Sequence, residues 1–161
     1  MNEDTNRLIV RRATEADLDS IAKLGRKLNE YHVKFEEFYK LKENVEEKLR
    51  EFYLRNITSE NAMLLVAGVD GEIVGFTLGR IQKTPPIFQT EEFGHLSDTF
   101  VKEGYRRKRI GEKLTHELLE WFKSKRIKRV ELSVDVRNKI GVSAWTKFGF
   151  EPFHYRMKKN L

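Results

Sequence analysis

Four consecutive basic residues, Arg106 to Arg109, stand between a predicted strand that ends near Val101 and a predicted helix that begins near Ile110. Such a junction constrains the fold, because it exposes the first N–H groups of the helix and the positive end of its dipole. Backbone groups in that arrangement bind phosphate, and Gly111 in the first helical turn lets a ligand approach closely. The segment alone is also compatible with a solvated basic turn, because short glycine-containing motifs give many false positives.

The basic excess of the chain is concentrated in this segment. The formal net charge is +6, and residues 102–113 hold six basic and two acidic side chains. A patch of this kind can face nucleic acid, an anionic membrane or a phosphorylated small molecule. We expect no nucleic acid, although 123–129 is also basic, because only Tyr105 is interleaved for base stacking. We also expect no membrane partner and a cytoplasmic protein, because no apolar run approaches the roughly 20 residues of a span.

The hydropathy pattern predicts a mixed α/β fold with one sheet, in a single domain covering residues 1–161. The run Met63–Ala67, the dipeptide Asp70-Gly71 and the run Ile73–Leu78 predict a hairpin. Helical spacing of apolar residues predicts helices over about 18–31, 43–56, 110–124 and 138–147. The other predicted elements are strands at 8–10, 92–101, 130–134 and 153–157 and a loop at 83–90.

Cysteine is absent from the chain, which excludes disulfides, thiolate metal sites and a cysteine nucleophile. The four histidines are scattered and show no metal-ligand spacing. The sequence therefore predicts no metal.

A second segment, VDVRNKIGVSAWTKFGFEPF (134–153), places Asn138 at a helix start, followed by Gly141, Trp145 and the pair Gly149-Phe150. Together with HLSDTFVKEGYRRKRIGEKL (95–114), it resembles the GNAT superfamily of N-acetyltransferases. The resemblance covers nearly the whole chain. It implies a central, mostly antiparallel, twisted sheet with a splayed strand pair and flanking helices.

The same resemblance implies acetyl transfer from acetyl-CoA, as co-substrate, to a primary amine of a small molecule or peptide by direct attack. An acyl-CoA-binding module with weak or no catalysis remains the alternative, and the sequence leaves the acceptor open. Relatives are often homodimers, and the resemblance implies a dimer contact through Phe153 to Leu161.

Cofactor contacts implied by the resemblance lie on the strand end, the basic loop and the fourth helix. They are Thr99, Phe100, Val101, Arg106, Arg107, Lys108, Arg109, Ile110, Gly111, Glu112, Lys113, Asn138 and Ser143. Arg109 stands where the family pattern has its first glycine. It is expected to donate its backbone N–H to phosphate if its φ is negative.

Candidates for proton transfer are His95, Ser97, Asp98 and Trp145, and a water relay is equally compatible with the sequence. Alternation along a strand predicts His95 and Ser97 on one face and Asp98 on the other. Trp145 stands where many relatives have a tyrosine that protonates the leaving thiolate, and an indole N–H is a donor only. Tyr31 and His32, after the first long helix, are further candidates for the acceptor side.

Overall fold

The computed structural model describes residues 7–161, which form a five-stranded sheet in the order β1-β2-β3-β4-β5. The strands are β1 (Leu8–Arg12), β2 (Ala62–Val69), β3 (Glu72–Lys83), β4 (Glu92–Val101) and β5 (Val130–Glu131). Neighbours are antiparallel except β4 and β5, which are parallel. The helices are α1 (Leu18–Val33), α2 (Val45–Ile57), α3 (Ile110–Ser124) and α4 (Lys139–Lys147). The predicted mixed α/β fold is confirmed.

The β2–β3 hairpin turns at Asp70 and Gly71, whose φ angles are 51° and 84°. Two left-handed residues in succession match the right-handed twist of paired strands, and the Asp-Gly dipeptide adopts them readily. The predicted hairpin therefore forms as the pattern indicates. The hairpin supplies β2 and β3, and β4 pairs with β3.

Each face of the sheet carries its own core. Helices α1 and α2 cover one face, and α3 covers the other. The first core includes Leu18, Ile21, Leu24, Leu28, Tyr53, Val66, Phe76 and Leu78. The second includes Leu65, Val74, Leu96, Ile110, Leu114, Leu118 and Phe122. Each fully buried side chain of this size contributes about 1.5–3 kcal/mol, so the two cores stabilise the sheet from both faces.

The predicted last strand at 153–157 does not form. Residues 148–161 contain no helix or strand, and Phe153, Tyr155 and Met157 are exposed. A strand needs a partner edge, and β5 pairs with β4 at two positions only instead of along 130–134. The segment is attached instead by side chains: the Arg129 guanidinium lies 4.4 Å from the Phe153 ring centroid, and Lys158 pairs with Glu36.

Within the described range 7–161, no helix combines the length and apolar character needed to cross a bilayer. The same residues contain no cluster of three or more histidine, cysteine or acidic side chains arranged to hold a metal ion.

Candidate active site

Strands β4 and β5 separate soon after they meet. They pair at Gly94–Val130 and His95–Glu131, whereas β4 continues beside β3 as far as Val101. The part of β4 after His95 therefore has an open edge. The chain then leaves β4 at Val101, makes a 3-10 turn and enters α3 at Ile110, so the basic loop lies at the mouth of this opening.

A β-bulge in β4 decides which backbone groups face the open edge. Asp98 pairs with Leu78 and Leu96 with Gly79, so Ser97 is an extra residue without a cross-strand partner. An inserted residue reverses the alternation of the strand from that point onward. The backbone groups and the side chains after Ser97 are both affected.

The hydrogen bonds on either side of the bulge show this reversal. Before it, the Gly94 N–H donates to Arg129 O, on the β5 side, at 2.8 Å. After it, the Lys102 N–H donates to Val74 O, on the β3 side, at 2.8 Å. Because strand backbone groups alternate between the two neighbours, Thr99 and Val101 point their N–H and C=O groups to the open edge. The Val101 carbonyl is available there, and it accepts a hydrogen bond from Arg106 Nε at 3.1 Å.

The side chains of β4 are reversed as well. Asp98 lies on the α1–α2 face, where it contacts Tyr53 of α2. His95 lies on the same face, because its pairing partner Arg80 stacks 5.6 Å from the Phe52 ring centroid, also in α2. The expectation that Asp98 faces away from His95 and Ser97 is therefore wrong, and the bulge is the physical reason.

The basic loop presents helix N–H groups. The first backbone hydrogen bond into α3 runs from the Lys113 N–H to Arg109 O at 3.0 Å, so the N–H groups of Ile110, Gly111 and Glu112 have no intrahelical acceptor. A Cβ added at Gly111 would approach only Val101 Cγ2, at 3.7 Å. The Cβ position of Gly111 is thus open apart from one ordinary contact, while Ile110 is buried in the α3-side core.

Arg109 adopts a left-handed conformation with φ 60°, and Arg107 adopts φ 63°. The condition of a negative φ at Arg109 is therefore not met, and the backbone takes the geometry that glycine favours. The Arg109 guanidinium turns away to Glu112, with Nε 2.9 Å from Oε2 and NH2 3.3 Å from Oε1. The side chain that replaces the family glycine thus stays outside the loop.

Two of the six cations around the loop have carboxylate partners: Arg109 pairs with Glu112 and Lys102 with Glu72. The other four are Arg106, Arg107, Lys108 and Lys113, and the ion pairs within residues 7–161 involve none of them. The Arg106 guanidinium also lies 5.6 Å from the Phe100 ring centroid, and Lys108 Nζ lies 5.3 Å from that of Tyr105. Net positive charge therefore remains at the N-terminus of α3, where a phosphate is favoured.

His95 and Ser97 form a small polar group with Arg80. His95 Nδ1 lies 3.1 Å from Ser97 Oγ, which also accepts from Arg80 Nε at 3.0 Å. Burial lowers the pKa of His95, the nearby Arg80 charge lowers it further, and Glu131 opposes the shift. The lowered pKa favours the neutral ring, and Ser97 engages one ring nitrogen.

Asp98 accepts a hydrogen bond from the buried phenol of Tyr53. The Tyr53 hydroxyl donates to Asp98 Oδ2 at 3.1 Å, and Tyr53 is 0% exposed. Burial raises the pKa of Asp98, against the opposing effects of the Tyr53 hydrogen bond and of the His32 and Arg80 charges. A carboxylate with a raised pKa holds a proton more readily than an ordinary aspartate, which suits general-base chemistry.

His32 at the end of α1 lies within the field of two carboxylates. Partial desolvation of the ring lowers the pKa of His32, although the residue keeps exposed surface, and the negative charges of Asp98 and Asp135 oppose that shift. Its neighbour Tyr31 donates its hydroxyl to Asn138 Oδ1 at 2.9 Å. The end of α1 therefore bridges the opening from β4 to the start of α4.

The three candidates on α4 have distinct surroundings. Asn138 is buried, and its Oδ1 accepts from the Gly141 N–H at 3.0 Å as well as from Tyr31, so its carbonyl caps α4. Ser143 is exposed on α4. Trp145 is partly buried against the α3-side core and makes an edge contact with Phe150 at 5.7 Å.

Sequence reasoning missed Tyr53, Arg80 and Asp135. Tyr53 fits the apolar spacing of the helix predicted over 43–56, and this spacing does not show that its hydroxyl, once buried, requires a hydrogen-bond partner. Arg80 lies beyond the predicted run Ile73–Leu78, because β3 continues to Lys83. Asp135 follows β5, which ends at Glu131 instead of at the predicted residue 134.

Comparison with known proteins identifies the family of the chain. A model of the Acetyltransferase (GNAT) family matches residues 27–150. An N-alpha-acetyltransferase from Sulfurisphaera tokodaii is 31% identical over 107 residues, which are 62% of this chain and 63% of that protein. This chain spans between 28% and 63% of the length of the curated relatives that it matches.

Solved structures share the fold. The BH1408 protein from Bacillus halodurans superposes with a TM-score of 0.83 at 22% identity, over 95% of this chain and 99% of that one. The aminoglycoside N-acetyltransferase AAC(6')-Iy, in complex with CoA, superposes with a TM-score of 0.79 at 14% identity, over 100% and 99% of the two chains. Because the family match covers well over half of the residues, the chain belongs to the acetyltransferase (GNAT) family, as its two motifs predicted.

Proposed function

We propose that the protein transfers an acetyl group from acetyl-CoA to a primary amine by direct attack of the nitrogen on the thioester. One juxtaposition carries the proposal: a cationic helix N-terminus adjoins the open edge of β4. A pyrophosphate and an extended acyl-carrying arm need those two features side by side. The absence of cysteine fits a reaction without an acyl-enzyme on sulfur.

In this proposal the loop of residues 106–113 holds the pyrophosphate through the N–H groups of Ile110, Gly111 and Glu112 and through the unpaired cations. The pantetheine arm then runs along the open edge of β4. Arg106, which donates to the Val101 carbonyl, turns from that carbonyl to the phosphates. The Val101 N–H donates to the thioester oxygen and stabilises the negative charge that develops there.

The acceptor arrives as an ammonium ion and must lose a proton before it can attack. Asp98 takes that proton, directly or through a water, and the amine nitrogen then forms a bond to the thioester carbon. The carbon–sulfur bond breaks and the electron pair leaves with sulfur as the CoA thiolate. The nitrogen, which became positively charged on attack, releases its extra proton to water or to that thiolate, and the neutral amide remains. Because a thiol has a pKa of about 8.5, the thiolate leaves without an obligatory acid, which is consistent with tryptophan at position 145.

The charge around the opening favours a cationic acceptor. Asp135 and Glu36 are paired with Arg137 and Lys158, whereas Asp98 takes part in none of the ion pairs within residues 7–161. An ammonium ion is attracted to a carboxylate that lacks a cationic partner. AAC(6')-Iy, which shares the fold, is an aminoglycoside acetyltransferase, and aminoglycosides are polycationic amines.

The test is release of free thiol from acetyl-CoA with a panel of amines: spermidine, an amino acid, kanamycin and a peptide with a free N-terminus. We expect release with at least one of them. Gly111→Val should abolish CoA binding by isothermal titration, because the side chain enters the phosphate approach, while the fold survives because the added Cβ makes only an ordinary contact.

Gly104→Val is the matched control, because a Cβ at Gly104 meets nothing within 4 Å and the residue lies outside the phosphate-binding turn. CoA should bind this variant as it binds the parent protein. Equal affinity of Gly111→Val and Gly104→Val would sink the phosphate-loop assignment. No thiol release with any amine, despite CoA binding, would leave only a CoA-binding module.

A further inference from the structure

Tyr53 carries a buried hydroxyl that the reaction scheme above does not use. Tyr53 is the largest fully buried side chain among residues 7–161. Its ring makes edge contacts with Phe76 at 5.4 Å and with Phe52 at 5.3 Å. A phenol in such surroundings loses its hydration, so it must find a partner. The partner is the carboxylate of Asp98.

We propose that Tyr53 is a positioning residue that holds the Asp98 carboxylate for proton transfer, and that Gly25 provides the space that its phenol requires. The inference rests on the proposed function. It adds two residues, on α1 and α2, that neither the motifs nor the family match assigns. Each part of it follows from contacts in the structure.

The need for glycine at position 25 is steric. A Cβ at Gly25 would lie 2.5 Å from Tyr53 Oη, 3.0 Å from Cε2 and 3.2 Å from Cζ. Those distances are shorter than carbon–oxygen and carbon–carbon contacts allow, and Tyr53 is packed on its other sides. Glycine in a helix interior is less favourable than alanine, so its presence in the middle of α1 indicates that the space is used.

The Asp98 carboxylate is held on one side and open on the other. Oδ2 accepts from Tyr53, and the described residues supply no donor to Oδ1. Within residues 7–161, the one buried side-chain polar atom without a hydrogen bond is Thr115 Oγ1. Oδ1 of Asp98 is therefore not fully buried. A base that is oriented by a third group through one atom and open through the other has the arrangement that proton transfer needs.

The charged and titratable neighbours of Asp98 come from every element packed against it. Tyr53 lies on α2, His32 at the end of α1 and Arg80 on β3, and Asp135, after β5, acts on His32. Burial raises the pKa of Asp98, whereas the Tyr53 hydrogen bond lowers it. Removal of the hydroxyl should therefore raise the pKa of Asp98 further, so that the base ionises at higher pH.

Tyr53→Phe tests this directly, because it removes one oxygen and keeps the ring. Because a hydrogen bond to a charged group is lost, the acid limb of the kcat/KM profile should move up by about one to two pH units. CoA affinity should not change. The control is Phe76→Leu, which disturbs the same aromatic packing without the hydrogen bond, and we expect a lower melting temperature with an unmoved limb.

If Tyr53→Phe does not fold, Gly25→Ala takes its place, because it keeps the hydroxyl but displaces the ring, and the same upward shift is expected. An acid limb that stays in place in a folded, active variant overturns the proposal, and so does an equal shift in Phe76→Leu. A carbon-13 NMR titration of the Asp98 carboxyl, assigned with Asp98→Asn, measures the same shift without turnover. Failure of the acetyl-transfer assay thus remains distinguishable from failure of this inference.

Discussion

Arg109 offers a quantitative test of how the basic loop is built. Its φ of 60° places an L-residue in the left-handed region, at a cost of about 1–2 kcal/mol. Its guanidinium meets Glu112 on the surface, where both side chains are more than half exposed, and such a pair contributes about 0.2–0.5 kcal/mol. The backbone strain at Arg109 is therefore larger than the stabilisation that its ion pair with Glu112 contributes.

The comparison that isolates the backbone is Arg109→Gly against Arg109→Ala. Both variants lose the same ion pair and the same charge, but only glycine relieves the left-handed strain. Glycine also makes the unfolded chain more flexible, which offsets part of this stabilisation. We therefore expect the free energy of unfolding of Arg109→Gly to be about 1 kcal/mol larger than that of Arg109→Ala. For a chain of this length that corresponds to a difference of about 2–4 °C in melting temperature.

The assay is thermal unfolding of the two variants in parallel, with and without CoA. Both should bind CoA more weakly than the parent protein at low salt, since a cation is lost from the loop, and by similar factors. An alanine variant as stable as the glycine variant, or more stable, would refute the argument. It would mean that residue 109 is not left-handed in solution.

Three further predictions concern other parts of the molecule. The Arg11 hydrogen bond lowers the pKa of Asp17 from 3.8 to about 2, so the ionised carboxylate should contribute about 1–2 kcal/mol to the free energy of unfolding above pH 4. This contribution is lost as the pH falls from about 4 to about 2, and the acid unfolding curves of the parent and Asp17→Asn should therefore converge in that range. Trp145→Phe should lower the melting temperature but retain turnover, because an indole supplies no acid; loss of all turnover with CoA still bound would give the indole a chemical role. The exposed side chains of Phe153, Tyr155 and Met157 lead us to expect a homodimer through the C-terminal segment, and a monomeric mass by light scattering at micromolar concentration would exclude it.

The sequence predicts best where structure depends on neighbours along the chain. The α3 helix runs from Ile110 to Ser124 as its 3.6-residue period indicates, and the β2–β3 hairpin turns at Asp70-Gly71. The same is true of the basic loop, because strand, cations and helix start are contiguous. These features need no long-range contact to specify them.

Prediction fails where distant segments decide. The strand pattern at 153–157 is locally sound, but no described edge pairs with it. Tyr53 and Asp98 are 45 residues apart, and their contact depends on the packing of α1 against α2 and on the absence of a side chain at Gly25. The register of β4 against β3 could not be predicted either, because the residues of β4 alone do not show that Ser97 lies in a bulge without a partner.

The bulge at Ser97 connects the two halves of the proposed reaction. With regular pairing from Gly94 onward, even-numbered residues would keep their N–H groups toward β5, and the Val101 N–H would be turned to β3. The Asp98 side chain would then lie with Leu96 on the α3 face, away from Tyr53 and His32. The bulge, which leaves Ser97 out of the pairing, therefore places the oxyanion donor at the open edge and the carboxylate on the acceptor side at once. Deletion of Ser97 leaves Leu96 opposite Gly79 and Asp98 opposite Leu78 in regular pairing, so it should keep both orientations and retain more turnover than Asp98→Asn. A folded deletion variant as inactive as Asp98→Asn would contradict this reasoning.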